Sequence, residues 1–221
     1  MTDWVTTREF HTMQGLEDWR AVSDGACAFF RTESLTSGIR LVAAFGAISG
    51  LDGNPPDIDL RPDGVTIRLL TLNEEGAGIS RRDVELAREI SRVAQQEGIA
   101  ADTSAIQSFL VIPGAPNTAA VMPFWRAVLG YDRRPDTPDE DLVDPHHRGP
   151  AFWFEPMQEP RAGGLGAIHV AVWVPPEEAE ARVAAALAAG GYLVRNVAPS
   201  WWTLADAAGN EADIATTSGR D

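Results

Sequence analysis

The chain contains no lysine: all 18 basic residues among its 221 are arginine. That absence removes Schiff-base chemistry, a lysine general base and a phosphate-loop lysine. Cysteine is nearly absent as well. The single Cys27 leaves no internal disulfide and no cysteine-rich zinc site, and its apolar neighbours Ala26, Ala28 and Phe29 mark it as a small core residue. Histidine is scarce, at four residues. No apolar run approaches about 20 residues, so no membrane span is expected. The start Met1-Thr2-Asp3-Trp4 lacks a basic and apolar leader, which points to a cytoplasmic protein. Against the arginines stand 32 acidic residues, a formal net charge of −14. That balance argues against nucleic acids and anionic membranes as partners. Polar chemistry at neutral pH therefore falls to four histidines and the carboxylates.

The length fits one large domain or two small ones, and two segments of different pattern favour two. In the first, Leu41, Val42, Phe45 and Ile48 fall near helical spacing within Leu35 to Ile48. Over residues 64–72, Val65, Ile67 and Leu69 alternate with Thr66, Arg68 and Leu70 as a half-buried strand. Ser80, with Asp83 three positions on, opens a helix through Val84, Leu86, Ala87, Ile90 and Val93 that ends near Gly98. Residues 98–104 have no strong period and read as a linker, giving domains at 1–97 and 105–221.

The second segment carries an internal repeat. A strand from Ile106 to Ile112 leads to a helix ending Trp125-Arg126-Ala127-Val128-Leu129-Gly130-Tyr131. A second strand, Ile168 to Val174, leads to a helix ending Leu187-Ala188-Ala189-Gly190-Gly191-Tyr192. Leu142-Val143-Asp144 is echoed by Leu204-Ala205-Asp206, and each half closes on a strand, Ala151 to Glu155 and Glu211 to Ala215. The expected fold class is therefore α+β: a small antiparallel sheet with helices on one face, followed by paired βαβββ modules forming a cupped sheet.

Phe124-Trp125-Arg126-Ala127-Val128-Leu129-Gly130-Tyr131 and Leu204-Ala205-Asp206-Ala207-Ala208-Gly209-Asn210-Glu211 resemble the vicinal-oxygen-chelate superfamily, which includes glyoxalase I and bleomycin-resistance proteins. Metal-dependent members hold one divalent ion with four inward side chains from the first and last strands of each module. The matching positions are Gln107, Glu155, His169 and Asp213. One imidazole with three oxygen donors suits a divalent transition metal and leaves positions for water and substrate. The resemblance implies a lyase, isomerase or oxygenase with His169 and Glu155 as catalytic residues. No nucleotide cofactor is expected.

Gly53-Asn54-Pro55-Pro56-Asp57-Ile58-Asp59-Leu60, Gly64 to Leu69 and Ile79-Ser80-Arg81-Arg82-Asp83-Val84-Glu85-Leu86-Ala87 are similar to pterin-4a-carbinolamine dehydratases. The whole then looks like an actinobacterial fusion. That family eliminates water with histidines of a His-His-Pro motif and a further histidine at the end of the central strand. The matching positions here are Asn54, Pro55 and Leu72. Pro and Leu cannot transfer a proton, and Asn is no acid or base at neutral pH. The expectation is a pocket that persists without dehydratase chemistry, with Asn54 and Asp57 contacting a flat heterocyclic ligand. Trp153 and Trp202 are expected to stack on a small molecule bound in the cup. Both resemblances imply a homodimer or higher oligomer. Two rival readings stand: a non-catalytic binder of an aromatic or natural-product ligand, and a 4a-hydroxytetrahydrobiopterin dehydratase by similarity.

Overall fold

A computed structural model describes residues 2–157, 168–205 and 211–219. The fold is α+β, and the chain divides between Ile106 and Gln107 into two compact units.

In the first unit, β1 (Trp4–Val5) and α1 (Thr7–Thr12) precede β2 (Arg20–Val22), β3 (Gly25–Arg31) and α2 (Leu35–Phe45). Then come β4 (Asp57–Arg61), β5 (Gly64–Leu69), β6 (Thr71–Asn73), β7 (Gly76–Ser80) and α3 (Arg81–Gln96). The antiparallel sheet β2-β3-β5-β4 carries α2 and α3 on one face, and a smaller sheet has the order β1-β7-β6. Alternation decides the sides. Ala28 and Phe30 of β3 and Val65, Ile67 and Leu69 of β5 face the helices, where they meet Leu41 and Phe45 of α2 and Ile90 of α3. Burying each large apolar side chain there stabilises the unit by about 1.5–3 kcal/mol.

The expected α3 forms with the expected start. Ser80 Oγ accepts from Asp83 N–H, Asp83 returns its carboxylate to Ser80 N–H, and the helix stops before Gly98, whose φ of 71° suits glycine. The strand expected over 64–72 breaks after Leu69, and Thr71–Asn73 leaves to pair with β7. The expected linker 98–104 is docked on the first unit. Arg31 N–H donates to Ala100 O and Asp102 N–H to Phe29 O, so the segment extends the sheet beside β3.

The second unit realises the repeat. Its first module has β8 (Ser108–Ala115), α4 (Thr118–Leu129), β9 (Asp132–Arg133), β10 (Asp141–Val143), β11 (Ala151–Trp153) and β12 (Glu155–Pro156). Its second has β13 (Ile168–Trp173), α5 (Pro176–Ala188), β14 (Tyr192–Val197), β15 (Trp201–Ala205) and β16 (Glu211–Ala215). The sheet runs β14-β15-β16-β13-β8-β11-β10-β9, with β12 also on β8. The two first strands, β8 and β13, meet antiparallel at its centre. Both helices lie on one face: α4 packs on Val111, Leu142 and Phe152, and α5 packs on Val172, Trp202, Leu204 and Ile214. No helix among the described residues packs on the opposite, open face of the sheet, which presents the other half of each strand's side chains, with Ile112, Ala171, Thr203 and Ala215 buried on it.

Candidate functional site

Register fixes what the open face carries. Leu110 stands opposite Ala171, with Ser108 opposite Trp173 and Ile112 opposite His169. Across β13, Asp213 stands beside Ala171 and Ala215 beside Trp173. Across β16, Thr203 stands opposite Asp213 and Trp201 opposite Ala215, and across β15 Arg195 stands opposite Thr203. Facing residues on neighbouring strands share a side. The open face therefore joins His169, Asp213, Thr203 and Arg195, over a floor of Leu110 and Ala171, with Trp173 and Trp201 in the flanking row. Trp173 is turned away from Val172 and Val174, as alternation required.

His169 and Asp213 touch. Nε2 lies 3.5 Å from Asp213 Oδ2, and the imidazole is nine-tenths buried. Burial is the largest influence on the Asp213 carboxyl and acts to raise its pKa. Hydrogen bonds from His169 and Thr203, with the charges of the imidazole and the Arg195 guanidinium, outweigh it and hold the carboxyl below the usual aspartate range. Asp213 Oδ1 is buried and has no hydrogen-bond partner.

Of the other two expected ligands, one shares this face and one does not. Glu155 stands beside Gly114 on β8, which puts its half-buried side chain on the open face, but β8 lies between it and His169. Gln107 was expected to point inward, and the structure corrects this. It precedes β8, is exposed, and its Oε1 accepts a hydrogen bond from Arg182 of α5 at 3.3 Å, on the helix-bearing side. A one-residue offset at a strand start reverses the side on which a chain emerges. About the central Leu110–Ala171 pair, the first-module counterparts of His169 and Asp213 are Ser108 and Ala151, neither of which matches a metal ligand of the second module. Among the described residues, no group of three or more His, Cys, Asp or Glu is placed to hold a metal ion. Of the expected four, His169 and Asp213 are in contact, Glu155 shares their face and Gln107 lies apart.

Two expected ligand contacts separate. Trp153 lies on the open face, half-buried, with Nε1 3.5 Å from Glu140 Oε2. Trp202 instead belongs to the core under α5, 8% exposed, because it alternates with Trp201. It does not line the open face.

In the first unit, Asn54 follows a short turn at Leu51–Gly53 and enters a closed polar cluster. Its Nδ2 donates to Asp83 Oδ1 at 2.5 Å and to Thr71 Oγ1 at 3.4 Å. Thr71 Oγ1, Ser80 Oγ and Asp83 Oδ2 form a triangle with sides of 2.7, 2.7 and 2.9 Å, and Ser80 N–H donates to the same Oδ2 at 2.7 Å. Asp83 is fully buried. Both N–H donors of Asn54 are committed inside the protein. Asp57, three residues on, lies on the edge strand β4 opposite Arg68, away from this cluster. Pro55 is exposed, and Leu72 is half-buried on β6.

Comparison with known proteins now adds to the geometry. Residues 5–93 match the family described as pterin 4 alpha carbinolamine dehydratase. A Nocardia farcinica protein that carries this dehydratase name provisionally is 34% identical over 83 residues, covering 38% of this chain and 85% of that protein. The chain belongs to the pterin-4a-carbinolamine dehydratase family. Residues 110–215 match the family described as a glyoxalase-like domain. The protein is thus a fusion, with a dehydratase-family unit followed by a glyoxalase-like unit. The sequence reading missed Thr71 as the partner of Asn54, and Thr203 and Arg195 as companions of Asp213. Only long-range pairing brings each set together.

Proposed function

We propose that the chain is a small-molecule enzyme whose chemistry takes place on the open face of the glyoxalase-like unit. The dehydratase-family unit keeps its framework without catalysing the dehydration. The observation that carries this reading is the His169–Asp213 contact. It joins the imidazole to an oriented carboxylate on a helix-free face flanked by Trp173 and Trp201, the usual pairing for proton transfer at neutral pH.

The roles follow from the contacts. Asp213 accepts from Nε2, fixes the orientation of the ring and leaves Nδ1 as the acceptor for a substrate proton. Thr203 holds the Asp213 carboxylate. His169 then acts as general base and returns the proton as general acid, in an isomerisation or lyase step. Glu155 stands across β8 as a second polar contact for the substrate. In the dehydratase-family unit, the positions matching the family's proton-transfer groups hold Asn54, Pro55 and Leu72. The nearby Asp83 carboxylate is enclosed by four donors from Asn54, Thr71 and Ser80, so its oxygens are committed to holding the fold.

Two measurements test this. A thermal-shift screen of small organic acids, phenols and carbonyl compounds is expected to give stabilising compounds whose effect is lost in His169→Gln. Compounds that stabilise wild type and His169→Gln equally would refute the assignment of the open face. A carbinolamine dehydration assay is expected to show no rate above buffer, and a rate that survives His169→Gln would instead establish the dehydratase reading.

A further inference from the structure

We draw no further inference here: the strongest candidate, the bare outer edge of β4 together with the exposed Leu35 and Ile39 of α2, which packs over that strand, restates the self-association that the dehydratase-family resemblance already implies.

Discussion

Replacing Asp83 by alanine is the sharpest perturbation of the first unit. The carboxylate is fully buried and serves two structures at once. As the third residue of α3 it closes the capping box with Ser80, and it is also the acceptor for Thr71 and Asn54. Loss of such a cap costs about 0.5–2 kcal/mol. The Asn54 and Thr71 donors would be left without their acceptor at about 1–3 kcal/mol each if fully buried. Both residues are half-buried, so water recovers part of that cost and the lower end applies. The sum is about 2–4 kcal/mol. At a urea dependence of about 1–3 kcal/mol/M, the midpoint for the first unit should fall by about 1–2 M. Hydrogen exchange read on α3 peptides across the urea series separates this unit from the other. Asn54→Ala removes one donor and keeps the capping box, so its effect should be less than half as large. A loss below about 0.5 kcal/mol in Asp83→Ala, or an equal loss in both variants, would refute the view that the cluster is a structural replacement for proton-transfer groups.

Other outcomes follow from the same geometry. Trp202→Ala should destabilise the second unit by about 3–5 kcal/mol, measured by chemical denaturation, because the ring is in the core beneath α5 and not on the ligand face. Burial pushes the Cys27 thiol up to about 11, so the native protein should label with a thiol reagent at pH 8 only as fast as the first unit unfolds. The folded-state pKa of Asp213 is lowered, so its contribution to stability is present above the ordinary aspartate value and fades as pH falls through the folded value. Acid unfolding of the second unit should therefore lose part of its pH dependence in Asp213→Asn, as monitored by hydrogen exchange of β13 and β16.

Much of this was legible in the sequence because it is local. The capping pair Ser80–Asp83, the periodicity of α3 and the repeated strand-helix pattern each lie within one element or one short stretch. The alternation that separates Trp173 from Val172 and Val174 is equally local. What was not legible is long-range register. Matching the repeat by spacing alone set Gln107 against His169. Strand pairing instead sets Ser108 in that role, because the pseudo-symmetry is centred on Leu110 and Ala171. The same limit applied to Trp202, whose side depends on whether Trp201 or Trp202 pairs inward. It also hid Arg195, which joins Asp213 only through the pairing of β14 with β15 and of β15 with β16. In the first unit, Asn54 and Asp57 are near in sequence but part company, since one turns into the Asp83 cluster and the other starts an edge strand.

The central claim is that the chemistry of this fusion belongs to the open face of its glyoxalase-like unit. Indole 15N NMR tests it most directly, because the seven tryptophans report on both units at once. Titration with a compound that stabilises wild type in the thermal-shift screen is predicted to shift the Trp153, Trp173 and Trp201 indole signals and leave Trp4 and Trp19 unmoved, with the shifts lost in His169→Gln. Shifts confined to Trp4 and Trp19 would contradict the account and place the ligand on the dehydratase-family unit.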